Sequence, residues 1–268
     1  MSSDKKPGFK PGEPNRTETV LLEPDSVCGI VASTHGDAEA LEEMLRVLKD
    51  EYGVTKFFHA GDITGEASEP SRCLKLLQEH QAHCILGNHD VLLLDREFIH
   101  TYGPVAYRAA EETVKALGRE EIAFLDALPV RIRTSHFSIV HESVLPPHYA
   151  KRSKRRRRSH GWDVGSSADE NTSAVCYGRL AQPHFLGSDH AAYYLHARPL
   201  LKVERPEPGN RIRPPRCSVF SVPSLAFTRD ERYDAGAVVV RLLDRENIEV
   251  EYLSLTPTKR SDIFPGIF

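Results

Sequence analysis

The pattern of apolar and polar positions predicts a chain in which buried strands alternate with amphipathic helices. The first apolar run, VCGIVAS at residues 27–33, has the length and composition of a buried strand. Apolar residues then recur at the spacing of a helix, in Ala38, Leu41, Met44, Leu45 and Leu48. Asp37 stands at the N-cap position of this helix and Gly53 at its end.

The next unit, His59 to Asp90 with the apolar pair before it, has the pattern of a strand, a helix and a second strand. Phe57-Phe58 precedes Gly61-Asp62, and Ile85-Leu86 precedes Gly87-Asn88-His89-Asp90, with the helical segment SRCLKLLQEHQA between them. Parallel strands present ligands at their carboxyl ends, so these polar residues are expected at one edge of a sheet. Their oxygen and nitrogen donors suit a divalent metal that works on phosphate.

The rest of the chain predicts helices first and then many strands. Residues 104–127 have the pattern of two helices separated by Gly118, and two strands follow at 130–133 and 136–141. From residue 183 onward the sequence is rich in short strands, and the last two are joined as a hairpin. This order predicts an α/β protein, a two-sheet α/β/β/α sandwich.

Composition suggests one folded domain with less regular segments around it. We expect a disordered tail at 1–24, a domain at 25–258 with an inserted basic loop at 143–173, and a C-terminal tail at 259–268. In the loop, Lys151 to Arg158 has seven basic residues in eight. It has three readings: a solvated loop, a contact with nucleic acid, or a nuclear address signal.

Charge and cysteine content indicate a cytoplasmic protein without a membrane partner. The net charge is −3, which argues against general binding of nucleic acid. The five cysteines have no CxxC spacing, so neither a disulfide framework nor a zinc knuckle is indicated. Apolar runs stay well below the ~20 residues that cross a bilayer. The oligomeric state is not indicated.

Five short motifs, each at a predicted strand end, resemble those of the calcineurin-like metallophosphoesterases, in particular their small bacterial and archaeal phosphodiesterase-like branch. That family has D-x-H, GD, GNH, a lone His and GH-x-H in this order. The corresponding stretches are Ser33-Thr34-His35-Gly36, Gly61-Asp62, Gly87-Asn88-His89-Asp90, Val140-His141 and Gly187-Ser188-Asp189-His190.

The resemblance implies two metal ions bridged by Asp62. The first ion would use position 33, His35, Asp62 and His190, and the second would use Asp62, Asn88, His141 and position 188. Ser33 stands where the family has Asp, and Ser188 stands where it has His, so each site keeps three ligands. Asp189 is next to the second loss, but adjacent residues of a strand point in opposite directions.

The same resemblance assigns catalytic roles and a reaction. His89 would donate a proton to the leaving oxygen or stabilise the transition state, and Asp90 would orient it. We therefore expect a metal-dependent phosphoesterase that uses one or two divalent ions (Mn, Fe, Zn or Ni). It would hydrolyse a phosphodiester or phosphomonoester by attack of metal-bound hydroxide. The alternative is an inactive pseudo-phosphoesterase that binds phosphate, nucleic acid or protein, because both metal sites have lost a ligand.

Other histidines are weaker candidates. His136 competes with His141, but only His141 ends an apolar run, and His184 lies near His190. The remaining histidines considered are expected on the surface or in packing, namely His59, His100, His148, His160 and His196.

Overall fold

The computed structural model describes residues 16–94, 103–142, 180–197, 201–227 and 230–264, which form an α/β structure with two mixed sheets. The helices, numbered in chain order, are α1 (Ala38–Asp50), α2 (Pro70–Glu79), α3 (Asn88–Leu94), α4 (Pro104–Ala116) and α5 (Arg119–Ala127). The predicted helices after Asp37 and on either side of Gly118 are confirmed, whereas α3 was not predicted.

The strands form a seven-stranded and a six-stranded sheet. The first has the spatial order β1 (Thr17–Thr19), β5 (Arg131–Arg133), β6 (Ser138–Val140), β7 (His184–Leu186), β11 (Ser218–Ser221), β8 (Tyr193–Ala197) and β9 (Leu201–Glu204). The second has the order β10 (Arg211–Ile212), β13 (Ile248–Leu255), β12 (Ala235–Leu242), β2 (Val27–Val31), β3 (Lys56–His59) and β4 (His83–Cys84).

Two apolar layers hold the sheets and helices together. The layer between the two sheets is rich in aromatic side chains, including Phe58, Phe137, Phe185, Phe220 and Tyr252. The other face of the six-stranded sheet packs against the helices through residues such as Leu41, Leu45, Leu74 and Leu125. Burial of this much apolar surface is the main stabilisation of the sandwich. In the part of the chain described, helices cover this one face.

The strand directions bring the predicted site residues to one edge. Strands β2, β3 and β4 are parallel to one another in the six-stranded sheet, and β6 and β7 are parallel in the other. The loops that leave their carboxyl ends contact each other across the sandwich. The hydroxyl of Ser33 donates a hydrogen bond to the carbonyl of Gly187 (2.7 Å), and Nδ1 of His141 is 2.7 Å from the carbonyl of Ala60.

The N-terminal boundary differs from the prediction. Strand β1 pairs with β5, and the buried side chain of Val20 belongs to the core between the sheets. The folded part therefore starts before residue 25, whereas residues 1–15 lie outside the described ones. A three-residue edge strand with mostly exposed side chains has little apolar signal, which explains the miss.

The segment after residue 258 is also packed rather than a tail. Arg260 forms an ion pair with Asp37 (3.0 Å), and the backbone of Ile263 bridges that of Ala67. Phe264 is buried against Ala109 of α4. The described C-terminal residues thus bind beside the loop that follows β3.

Several predictions lie outside the described residues. These include the whole inserted loop 143–173, with its basic run Lys151 to Arg158, and also His100, His148 and His160. Among the helices that are described, none has the length and apolar character needed to cross a membrane.

Candidate metal centre

The loops at the common edge contain a concentration of unusual backbone conformations. Among the described residues other than glycine, five have positive φ, and four of them belong to the predicted motifs: Ser33 (52°), His35 (49°), Asp62 (58°) and His190 (56°). Left-handed backbone is disfavoured for residues with a side chain, and it concentrates at functional sites. The fold therefore holds these side chains in specific directions at a local energetic cost.

Asp62 lies at the centre of the site and is buried. Its Oδ2 is 3.2 Å from Nε2 of His141 and 3.8 Å from Nε2 of His35. Its Oδ1 accepts a hydrogen bond from the backbone N–H of His89 (2.9 Å). Gly87 permits this arrangement, because a Cβ at that position would overlap the Asp62 carboxylate. One carboxylate thus faces two imidazoles, as the resemblance implies.

His141 is surrounded by acceptors on both ring nitrogens. Nδ1 donates to the carbonyl of Ala60, while Nε2 is 2.9 Å from Oδ1 of Asn88 and close to Asp62. Burial lowers the pKa of His141, but the Asp62 carboxylate, together with Glu142 and the Ala60 carbonyl, raises it to about 9. In the metal-free protein the proton on Nε2 therefore occupies the point where three ligand atoms converge. A cation could take the place of this proton.

Among the described residues, Nε2 of the buried His35 has no hydrogen-bond partner, whereas Nδ1 lies 3.0 Å from Oε2 of Glu66. Its ring centroid is 4.6 Å from that of His89 and 5.2 Å from that of His190. Nδ1 of His190 is 3.0 Å from the carbonyl of Phe227, so Nε2 is the acceptor nitrogen of the neutral His190 ring. Buried polar groups normally have partners, and an ion is one explanation for those that lack them.

The donor set fits a divalent metal. Ligand atoms of His35, Asp62 and His89 lie within 4.8 Å of one another, and His141 and Asn88 approach the other side of Asp62. Imidazole nitrogens with carboxylate and amide oxygens suit first-row divalent ions. The structure thus brings together the five predicted ligands, His35, Asp62, Asn88, His141 and His190.

The two serines at the substituted positions take part in packing. The Ser33 hydroxyl donates to Gly187, and the backbone N–H of Ser188 donates to the carbonyl of His141 (3.1 Å). Asp189 does not replace the lost histidine, because its carboxylate accepts a hydrogen bond from the hydroxyl of Tyr193. Asp189 lies in the loop after β7, which ends at Leu186.

Asp90 is fully buried and is surrounded by hydrogen-bond donors. Its carboxylate accepts five hydrogen bonds, from the backbone N–H groups of Gly87, Asp62, Ile63 and Thr64 and from the Thr64 hydroxyl. Four of these donors belong to the loop that contains Asp62. Asp90 therefore holds the loop that contains Asp62, and its orientation of His89 stays a prediction.

Glu66 is a site residue that the sequence analysis missed. Its Oε2 is 3.0 Å from Nδ1 of His35, and its Oε1 is 3.8 Å from Nδ1 of His89. Burial raises the pKa of Glu66, but His35, together with His89 and a backbone hydrogen bond, lowers it to about 2. The site therefore has a second carboxylate despite Ser33. Glu66 lies in a loop and belongs to none of the five motifs, so the sequence pattern gave no indication of this contact.

His89 lies at the border of the site, with 17% of its side chain exposed. Burial lowers its pKa, and this effect exceeds the opposing attraction of Asp62. The ring is therefore neutral near pH 7 in the metal-free protein. Its position beside His35 and Asp62 leaves it accessible to a ligand entering from solvent.

The competing histidines lie elsewhere. Nε2 of His136 contacts the carbonyl of Asp244, and His184 and His196 belong to β7 and β8. His59 is fully buried, accepts a hydrogen bond from the Gly61 N–H and contacts the Thr34 hydroxyl (2.6 Å). His59 therefore has the expected packing role, and it contacts both the loop after β2 and the loop after β3.

Comparison with known families gives the site its context. Residues 29–165, just over half of the 268-residue chain, match the family model described as calcineurin-like phosphoesterase. The chain belongs to the calcineurin-like phosphoesterase family. A curated relative, an uncharacterized protein of Methanocaldococcus jannaschii, is 31% identical over 110 residues, which are 40% of this chain and 44% of the relative. The match thus spans less than half of that relative.

Solved structures show the same fold. The metallophosphoesterase from Sphaerobacter thermophilus is 19% identical, with a TM-score of 0.62 over 86% of this chain and 89% of that one. A hypothetical protein from Pyrococcus horikoshii is 16% identical, with a TM-score of 0.61 over 87% of this chain and 89% of the other. The two-sheet architecture predicted from the sequence is thereby confirmed.

Proposed function

We propose that this calcineurin-like phosphoesterase hydrolyses a phosphodiester or phosphomonoester with one or two divalent metal ions (Mn, Fe, Zn or Ni) bound around Asp62. The single observation that supports this most is the convergence of Nε2 of His141, Oδ1 of Asn88 and Oδ2 of Asp62. With Asp62 ionised, both oxygens are hydrogen-bond acceptors, so the arrangement needs a proton or another cation at its centre.

The residues divide between two sides of Asp62. Asn88 and His141 would hold an ion on one side, and His35 and His190 would hold an ion on the other. A divalent ion there supplies a Lewis acid, which polarises the phosphoryl group and lowers the pKa of water. Asp90 holds the Asp62 loop, and the hydrogen bond to the His89 N–H fixes the Asp62 carboxylate.

His89 would handle the proton of the leaving group. Its ring lies next to His35 at the accessible side of the site. The negative charge of a bound phosphate ester raises the pKa of a neighbouring imidazole, which counteracts the effect of burial on His89. A protonated Nε2 or Nδ1 could then donate to the departing oxygen.

The experiment that tests this function uses chelator-stripped protein with Mn²⁺ added back. We expect hydrolysis of bis(p-nitrophenyl) phosphate or p-nitrophenyl phosphate to return with metal and to be abolished in Asp62→Asn. Asp50→Asn, an exposed carboxylate at the end of α1, is the matched control and should keep full activity. Absence of hydrolysis with Mn²⁺, Fe²⁺, Zn²⁺ and Ni²⁺ would count against the proposal.

The alternative, an inactive phosphate-binding or protein-binding module, has one observation in its favour. The Ser33 hydroxyl is directed to the Gly187 carbonyl and the Asp189 carboxylate to Tyr193, so neither restores the ligands lost at positions 33 and 188. The two functions differ in one result. A protein that binds metal stoichiometrically but hydrolyses no ester would support the binding module.

Binding of nucleic acid through Lys151 to Arg158 stays a prediction. It would appear as salt-dependent affinity that is lost when this run is deleted.

A further inference from the structure

The loop that follows β3 places a second, partly buried carboxylate against the histidines of the metal centre. Glu66 is 16% exposed, and its Oε2 lies 3.0 Å from Nδ1 of His35, the nitrogen opposite the one that faces Asp62. Its other oxygen lies 3.8 Å from Nδ1 of His89. The His35 ring therefore stands between two carboxylates, one on each nitrogen.

This geometry determines which nitrogen of His35 can bind a metal. A carboxylate beside Nδ1 favours a proton there, and a neutral ring then has its lone pair on Nε2, directed toward Asp62. Histidine ligands commonly donate their second N–H to a carboxylate, which orients the ring and increases its basicity. Among the described residues, Oε2 of Glu66 has no hydrogen-bond partner besides the adjacent His35 ring, so it is available to His35.

The backbone around Glu66 is built to keep this contact. A Cβ on Gly65 would overlap Nδ1 of the His35 ring, so only glycine allows the loop to pass so close. On the other side, the N–H of Phe264 donates to the carbonyl of Glu66 (3.0 Å), and the N–H of Ser68 donates to the carbonyl of Asp262 (2.7 Å). The C-terminal segment 260–264 thereby braces the Glu66 loop.

We propose that Glu66 is a positioning residue for the metal centre: it fixes the ring of His35 with Nε2 toward the ion and supplies the negative charge that Ser33 cannot. This inference rests on the proposed metal-dependent function. The positive charge of bound metal ions needs nearby carboxylates to neutralise it. Glu66 would supply one of them in a site that lacks the Asp of the first motif. Glu66 acts through His35 and does not itself contact the metal.

The test measures Zn²⁺ binding by calorimetry to the full-length chain after chelator treatment. We expect Glu66→Gln and Glu66→Ala to weaken Zn²⁺ binding by about 10–100-fold, with the larger loss in Glu66→Ala, because Gln keeps an acceptor oxygen for His35 but lacks the charge. Glu69→Gln is the matched control. It removes a carboxylate from the same loop that contacts Arg72 and Ser261, and it should leave the Zn²⁺ affinity unchanged.

A second measurement distinguishes positioning from mere support of the fold. In Zn²⁺-loaded protein, long-range ¹H–¹⁵N NMR spectra should show His35 with a protonated Nδ1 and a metal-bound Nε2, and Glu66→Ala should lose this single pattern. Wild-type protein that binds Zn²⁺ while Glu66→Gln binds it equally well would overturn the inference and leave the metal centre intact. Wild-type protein that binds no Zn²⁺ would overturn both.

Discussion

Nε2 of His141 lies 3.2 Å from Oδ2 of Asp62, and this contact joins the loops that follow β6 and β3, one from each sheet. The same nitrogen is 2.9 Å from Oδ1 of Asn88. A protonated imidazole between two oxygen acceptors is a local substitute for a cation. The metal-free and metal-bound forms of this site would therefore differ by at least one proton on His141.

The first prediction concerns the pH dependence of metal binding. His141 must lose its Nε2 proton before that nitrogen can bind a metal, and its pKa is raised to about 9. The affinity for Mn²⁺ should therefore increase by about tenfold per pH unit between pH 6.5 and 8.5 if one proton is released. Calorimetry in two buffers with different ionisation enthalpies measures the number of protons. An affinity that does not change over this range would show that His141 is not a ligand.

The second prediction concerns Asp90. Asp90→Asn replaces a carboxylate that accepts five hydrogen bonds with an amide that directs an NH₂ group at some of the same donors. We expect the free energy of unfolding to fall by about 2–4 kcal/mol, because buried donors lose their partner. Denaturant unfolding of the variant and of Asp50→Asn measures the difference.

The same variant tests the positioning role of Asp90. If Asp90 only holds the Asp62 loop, the folded Asp90→Asn protein should bind Mn²⁺ more weakly, while the remaining activity of the metal-saturated protein keeps the pH profile of the wild type. A changed pH profile would instead indicate that Asp90 acts on the proton transfer by orienting His89.

The third prediction separates two roles of His89, proton donor and metal ligand. As a proton donor, His89 should contribute about 10²–10⁴-fold to turnover, so His89→Asn should lower kcat by that factor and keep the bound metal. Elemental analysis of the purified variant, together with its kcat, measures both quantities. Loss of the metal along with the activity would make His89 a ligand, with His35 and Asp62 as its neighbours.

The fourth prediction concerns His59 and the acid stability of the metal-free protein. Burial lowers the pKa of His59 to about 3, whereas an unfolded histidine has a pKa near ~6.5. Below pH ~6.5 the unfolded chain takes up a proton that the folded chain refuses, so stability is lost as the pH falls from ~6.5 toward 3.

The variant His59→Asn removes the imidazole that takes up this proton in the unfolded chain. Its free energy of unfolding should therefore decrease less between pH 7 and pH 5 than that of the wild type. His80→Asn, at the end of α2, is a control that should follow the wild-type decrease. Parallel pH profiles for wild type and His59→Asn would contradict the assignment.

The sequence was sufficient for the parts of the site that come directly after buried strands. The apolar runs before Asp62 and Asn88 identified β3 and the start of the next loop, and parallel strands bring their ends together without further information. His141 could be preferred over His136 because it ends its strand, and the structure places it against Asp62.

Contacts that depend on the tertiary path of a loop could not be predicted in this way. Glu66 reaches His35 only because the chain turns after Gly65, and the C-terminal segment returns beside it. Asp90 follows the most specific motif, yet its partners are backbone groups that no side-chain pattern identifies. β1 has too few apolar residues to be recognised from its sequence. It is held in the sheet by pairing with β5, which is a tertiary contact.

Anomalous diffraction from crystals of the protein soaked in Mn²⁺ tests the proposed metal centre without any activity assay. This centre predicts a peak at ligand distance, ~2.0–2.3 Å, from Oδ2 of Asp62, Nε2 of His141 and Oδ1 of Asn88, with His141 still donating from Nδ1 to Ala60. A map without a peak between these three atoms, and with the His141–Asp62 contact unchanged at saturating Mn²⁺, would contradict it.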